Sequence, residues 1–138
     1  MNTALIYATK TGHSKKIANA IAKELNVLAE DIKSEPKLDN VDLLFLIGGI
    51  YGSQSAPELL SYLEKLNNNM VKKVILLTSS ASKVAKQSAV RTLLKEKGIE
   101  VEEDEFVCQG SFLFMGFRHP NKDDIQNAVT FAKRFSLS

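Results

Sequence analysis

The feature that most constrains the fold is a set of apolar runs of strand length in which polar residues do not alternate with apolar ones. The clearest run is Leu43–Ile47, and the runs Val74–Leu77 and Thr3–Ala8 have the same character. A strand with two apolar faces has to be buried on both, which a parallel sheet covered by helices on each side achieves. These runs predict an α/β protein with helices on both faces of the sheet.

Helical patterns separate the apolar runs. Between the first two runs, apolar residues recur at three- and four-residue spacing, as on one helix face; they are Ile17, Ala18, Ile21, Ala22 and Leu25. Three more helices are predicted, one opened by Pro57, one stopped by Gly98 and one capped by Asn121. Two weaker strands, Val27–Ile32 and Ile99–Cys108, complete a doubly wound sheet of five parallel strands in a single domain, residues 1–138.

Composition narrows the function classes. The 138 residues fit one domain, and a single cysteine, Cys108, excludes an internal disulfide framework and a multi-cysteine metal cluster. A net charge of +2 is too small to indicate a nucleic-acid partner, and no apolar run approaches the ~20 residues of a membrane helix. The chain opens without a signal-peptide pattern, so a cytoplasmic protein is expected.

Ligands of doubly wound sheets bind outside the carboxyl ends of the strands, so the loops that follow the strands are the candidate site. The first of them, residues 9–14, leads directly into a helix N-terminus, where free N–H groups and the helix dipole favour a phosphate. Its hydroxyls belong to Thr9, Thr11 and Ser14, and Gly12 permits close approach. Ordinary helix capping explains the same residue types equally well. The loop has neither the Walker A nor the Gly-x-Gly-x-x-Gly pattern.

These loops resemble those of the flavodoxin family. Thr9-x-Thr11-Gly12-x-Ser14 is similar to the family's FMN-phosphate loop, and Ile47–Gly52 is similar to its flavin loop. The hydroxyl-rich segment Thr78–Ser82 and the tail from Phe106 to Asn121 also resemble flavodoxin domains, and the resemblance covers the whole chain. It implies a short-chain flavodoxin fold with the strand order 2-1-3-4-5.

The resemblance implies FMN as the cofactor and assigns three groups of residues to it. The phosphate group consists of Thr9, Lys10, Thr11, Gly12, His13 and Ser14. The group along the isoalloxazine ring consists of Gly49, Ile50, Tyr51 and Gly52, with Tyr51 stacking on the ring. The group at the pyrimidine edge consists of Ser79, Ser80, Ala81 and Ser82, whose donors favour negative charge on the reduced ring. No catalytic residues and no metal ligands are predicted.

The resemblance implies an electron carrier that cycles FMN between oxidised, semiquinone and hydroquinone states and exchanges electrons with a donor reductase and an acceptor protein. A monomer is favoured. An FMN-dependent reductase of quinones or similar small acceptors is the main alternative, and a module that has lost FMN is a third. Flavodoxins are usually strongly acidic, whereas this chain carries a net charge of +2, so the usual partners are not implied.

Three further features have open interpretations. The apolar segment Phe112–Phe117 forms either a flap or partner surface or packing beneath the last helix, and Arg118 and His119 beside it are candidate substrate contacts. Cys108 is interpreted as a small core residue. The acidic run Glu100–Glu105 is interpreted as a solvated edge strand or as a docking patch for a basic partner.

The family's flavin loop predicts a specific role for Gly52. The Tyr51–Gly52 peptide is expected to meet flavin N5 and to turn over on reduction, which glycine allows at little steric cost. Gly52→Ala should therefore lower the yield of one-electron-reduced flavin during a stepwise reductive titration followed by visible absorbance. An unchanged yield would refute the peptide turn.

Overall fold

A computed structural model of the chain describes residues 2–8, 13–51, 54–55, 57–80, 88–109 and 122–136. The strands are β1 (Thr3–Tyr7), β2 (Ala29–Asp31), β3 (Val41–Tyr51), β4 (Gln54–Ser55), β5 (Val71–Ser80), β6 (Glu100–Val101) and β7 (Phe106–Gln109). The helices are α1 (His13–Leu25), α2 (Pro57–Glu64), α3 (Ser88–Glu96) and α4 (Lys122–Ser136), with a short 3₁₀ helix at Ile32–Ser34.

The sheet has the predicted flavodoxin-like topology. Its strands lie in the order β2-β1-β3-β5-β6, all parallel, and β7 continues beside β5 where β6 stops. Counting β6 and β7 as two pieces of one strand gives the order 2-1-3-4-5, so the predicted fold class is confirmed.

Alternate residues of the strands build two separate cores. Phe45 and Ile75 face one side, where Ile17, Ile21 and Ala128 of α1 and α4 cover them. Leu44, Leu46 and Leu76 face the other side. There they pack against α2 and α3 through Leu59, Leu63, Val90 and Leu94. The apolar runs are therefore uninterrupted because these strands are buried on both faces of the sheet, as the sequence predicted.

Two predicted loops are instead strands. Gly48 and Gly49 were expected to end β3, but the strand continues to Tyr51 and turns back into the antiparallel β4. Thr78–Ser80 were expected to lie in a polar loop, but they belong to β5. Each extension pairs with the other, because the residues from Gly48 to Ile50 are the register partners of Thr78–Ser80. The backbone pairing of the two strands outweighs the weak strand preference of glycine and serine.

The last predicted strand, Ile99–Cys108, is interrupted. The acidic residues 102–105 separate β6 from β7, so this part of the run is not the continuous edge strand that was expected. The Arg91 guanidinium donates hydrogen bonds to two backbone carbonyls of this segment, that of Glu102 at 2.8 Å and that of Glu103 at 3.2 Å.

Gly98 ends the preceding helix, α3, as predicted. It has φ 76°, and its N–H donates to the Lys95 carbonyl at 3.0 Å.

Tyr62 of α2 anchors the segment between β2 and β3. Its buried hydroxyl donates to the Pro36 carbonyl, and burial, assisted by the charge of Glu30, raises the pKa of Tyr62 to about 12 from 10.0. The folded protein therefore favours the neutral form of the Tyr62 side chain over the ionised form. Its contribution to stability is complete below pH 10.0 and is lost as the pH rises through about 12, because only the unfolded chain releases the proton in that window.

Replacing Tyr62 tests this anchor. Tyr62→Phe should lower the free energy of unfolding at neutral pH by about 1 kcal/mol through loss of the hydrogen bond. It should also flatten the fall in stability between pH 10.0 and about 12. Urea unfolding across this range measures both effects, with Ser61→Ala, an exposed change on the same helix, as the control. An identical alkaline decline in Tyr62→Phe and wild type would contradict the account.

Candidate functional site

The carboxyl ends of the central strands form one edge with a defined register. Ile47 is the partner of Tyr7, at the end of β1, and the next residue, Gly48, is the partner of Thr78 on β5, with Val107 on β7 beyond Thr78. In the next row Gly49 is the partner of Ser79, and in the last described row Ile50 is the partner of Ser80. The fold therefore brings two of the predicted groups, one on β3 and one on β5, onto adjacent strands.

The amino terminus of α1 opens at the same edge. The Ala8 N–H after β1 donates to the Ile47 carbonyl at 2.8 Å, and α1 begins five residues further on at His13. Ser14 in its first turn is 1% exposed, and its Oγ has no hydrogen-bond partner within the described part of the chain. A buried hydroxyl without a partner is energetically unfavourable, so this atom indicates a missing ligand group.

Many of the predicted site residues lie outside the described residues. These are Thr9, Lys10, Thr11, Gly12, Gly52, Ala81 and Ser82. Of His13, Gly49, Ile50, Tyr51, Ser79 and Ser80 the structure describes the backbone alone. The stacking role of Tyr51 and the loops around it therefore stay predictions, and so do the interpretations of Phe112–Phe117, Arg118, His119 and the Cys108 side chain.

The described residues at the start of α1 fit a phosphate group. The first turn of the helix contains no acidic residue, so its free N–H groups and positive dipole end are not neutralised locally. The next two residues, Lys15 and Lys16, are exposed cations. Ser14 Oγ supplies a buried donor that the protein itself leaves unused, and phosphate oxygens are strong acceptors for it.

A second polar cluster at this edge was missed by the sequence interpretation. Thr78 Oγ1 donates to Oε2 of Glu105, and Arg91 Nε donates to Oε1 of the same carboxylate at 3.1 Å. The Glu105 side chain is 0% exposed, although it was expected to belong to a solvated acidic run. The sequence alone does not distinguish Glu105 from its four acidic neighbours. Its burial depends on the ion pair with Arg91, which lies on a different element, α3.

Two further observations on the described residues concern metal ligands and membrane-spanning helices. Within the described ranges, no three side chains of His, Cys, Asp or Glu converge as metal ligands. The described helices include none with the length and hydrophobicity to cross a lipid bilayer.

Comparison with known proteins assigns the family. The flavodoxin domain family matches residues 4–135 of the chain, and the chain belongs to this family. Its members bind a flavin, typically FMN, so the chain is in general terms a flavin-binding redox protein.

Individual relatives agree with the assignment. An uncharacterized protein of Methanocaldococcus jannaschii is 32% identical to this chain, and the match covers 88% of each protein. Oxidised Flavodoxin 2 from Bacillus cereus superposes with a TM-score of 0.75 at 17% identity and 99% coverage of both chains. An apo NADH:FMN oxidoreductase superposes with a TM-score of 0.71 at 12% identity, covering 99% of this chain and 89% of the other. The two structures share the fold with this chain.

Replacing Ser14 tests the fit to a phosphate. Ser14→Ala removes a buried hydroxyl that has no described partner, so the free energy of unfolding of the apoprotein should rise by about 1 kcal/mol. FMN should bind roughly tenfold more weakly, since a hydrogen bond to a charged oxygen is lost. Riboflavin, which lacks the phosphate, should bind to the variant and to wild type alike.

Flavin fluorescence titration and urea unfolding provide the two measurements. Ser61→Ala, an exposed serine-to-alanine change on α2, is the matched control and should alter neither. Equal FMN affinity in Ser14→Ala and wild type would remove Ser14 from the phosphate site.

Proposed function

We propose that this protein is an FMN-binding electron carrier that receives electrons from a separate reductase and passes them to an acceptor protein. The observation that supports this most is the buried Ser14 hydroxyl at the amino terminus of α1, directly beside the carboxyl edge of a flavodoxin-type sheet. Bound FMN would supply reversible electron transfer, which the side chains do not perform themselves.

Phosphate binding would fall to residues 9–14. Ser14 Oγ would donate to one phosphate oxygen, and the N–H groups of the first turn of α1 would donate to others. Burial of Ser14 excludes water from its hydroxyl, which strengthens this hydrogen bond. Thr9, Thr11 and Gly12 complete the proposed binding loop.

The ring system would lie across the ends of β3 and β5. Residues 49–52 follow one side of it, with Tyr51 as the proposed stacking residue, and residues 79–82 supply donors to its pyrimidine edge. The register of Gly49 with Ser79 supports this placement, because one flat ligand can contact both groups only if they end side by side. The backbone of β3 can approach the ligand closely here, since two successive glycines carry no Cβ.

An electron carrier also requires no catalytic side chains at the proposed site. Electron exchange with partner proteins needs no general acid, general base or nucleophile, and no such group was predicted at the edge. Specificity in a carrier resides in the bound cofactor's potential and in the surface around it.

A small-molecule reductase is the second candidate function. The structure shares its fold with an NADH:FMN oxidoreductase, and the apolar segment Phe112–Phe117 supplies side chains suited to a hydrophobic acceptor. This function requires the chain to accept electrons from a nicotinamide without help.

One assay separates the two functions. The FMN-loaded protein is mixed anaerobically with NADH or NADPH and the quinone menadione, and nicotinamide oxidation is followed by absorbance. We expect no turnover above that of free FMN until a separate NAD(P)H-dependent flavodoxin reductase is added, after which electrons should reach the quinone through the protein. Sustained turnover by the protein alone would overturn the carrier proposal in favour of the reductase.

A further inference from the structure

The cluster formed by Thr78, Glu105 and Arg91, here called the β5–β7 clamp, joins three elements. The Glu105 carboxylate accepts from the Thr78 hydroxyl on β5 through one oxygen and from Arg91 Nε on α3 through the other, the latter at 3.1 Å. Its side chain is 0% exposed, and that of Arg91 is 17% exposed. Arg91 also donates to the carbonyls of Glu102 and Glu103, which holds the segment before β7 in place.

The clamp lies directly behind the proposed pyrimidine edge. Thr78 immediately precedes Ser79 on β5, and its Cα partners are Gly48 on β3 and Val107 on β7. Leu77 faces the core beneath α1 and α4, while Leu76 faces the opposite core with α2 and α3. Thr78 thus points to the α3 side by strand alternation, where Arg91 meets it through Glu105.

Stability alone does not explain a clamp of this kind. A buried ion pair carries a large desolvation penalty, and apolar residues of similar volume are often at least as stabilising. In this protein it accompanies a break in the last strand, since residues 102–105 belong to neither β6 nor β7 and Arg91 holds two of their carbonyls. The bond of Glu105 to Thr78, which immediately precedes the proposed cofactor contact Ser79, offers a different reason for it.

We propose that the β5–β7 clamp positions the strand ends of the flavin site and sets its electrostatic potential, with the Arg91 charge balancing that of Glu105. The inference rests on the proposed function. Reduction adds negative charge to a bound flavin, so an uncompensated carboxylate nearby opposes reduction and an uncompensated guanidinium favours it. Arg91 and Glu105 are positioning residues: Glu105 holds Thr78, Arg91 holds the carbonyls of Glu102 and Glu103, and their charges contribute to the potential at the strand ends.

Two single variants with opposite charge changes test the inference. Arg91→Gln removes one positive charge from the clamp and should lower the midpoint potential of the FMN-loaded protein. Glu105→Gln leaves the Arg91 charge unbalanced and should raise it. Measured as affinities, Arg91→Gln should weaken the binding of reduced FMN severalfold relative to oxidised FMN, and Glu105→Gln should do the reverse. Potentials of all variants and of wild type are measured at the same pH and ionic strength.

The double variant Arg91→Gln/Glu105→Gln removes both charges, so its potential should return toward that of wild type. It also keeps the test decisive where one single variant fails to fold. The matched controls are Lys73→Gln and Glu102→Gln, whose side chains pair at 2.8 Å. Lys73 lies on β5 itself, ~17 Å before Thr78 at the usual strand rise, and these controls should leave the potential unchanged.

Amide hydrogen exchange of the apoprotein supplies a measurement that does not involve the cofactor. Both single variants should exchange faster than wild type at the amides of β7, which the clamp holds to β5, and the two controls should not. Saturable FMN binding with potentials of Arg91→Gln and Glu105→Gln that move in the same direction, or no further than the controls, would overturn this inference alone. A wild-type chain that takes up no FMN would overturn the proposed function and this inference with it.

Discussion

Burial of the central strands on both faces is the constraint on which the rest of the structure depends. Phe45, Leu46 and Ile75 are each 0% exposed, and helices cover the sheet on either side, so the faces of the sheet have no room for a polar ligand. Polar chemistry is confined to the strand ends, where successive helices begin. The same apolar runs that define the fold therefore also restrict where a polar ligand can be proposed to bind.

Two buried polar groups at that edge depart from the apolar pattern. Ser14 Oγ has no partner among the described residues, and Glu105 is neutralised by Arg91 and bonded to Thr78. Each is costly in a protein interior unless something compensates for it. Both lie near the carboxyl edge of the sheet, where the flavin of this flavodoxin-family chain is proposed to bind.

The sequence predicted the layers of the fold because period and length are local properties. Leu43–Ile47 and the face of α1 could be identified from spacing alone, and Gly98 ended α3 as its backbone freedom suggested. Strand ends were placed less well. Gly48–Ile50 and Thr78–Ser80 were interpreted as loops, and it is their pairing with each other that makes them strands.

Contacts between residues far apart in the sequence also decide which polar groups are buried near the carboxyl edge. Ser14 was identified because it belongs to a motif with a local reason, the start of a helix. Glu105 was hidden in an acidic run, since its burial is decided by Arg91, fourteen residues earlier on another element. A sequence pattern can suggest a candidate phosphate loop, but it does not show which of several charges folding will bury.

The proposed position of the cofactor at the carboxyl edge of the sheet is the central proposal, and amide chemical shifts test it directly. The ¹⁵N-labelled protein is titrated with FMN, and the amides of Ser14, Gly48 and Thr78 report on the carboxyl edge, while those of Val71 and Gly98 report on the opposite edge. The account predicts saturation at one molar equivalent, with shifts concentrated at the carboxyl edge. Shifts that do not saturate, or that centre on Val71 and Gly98, would contradict it.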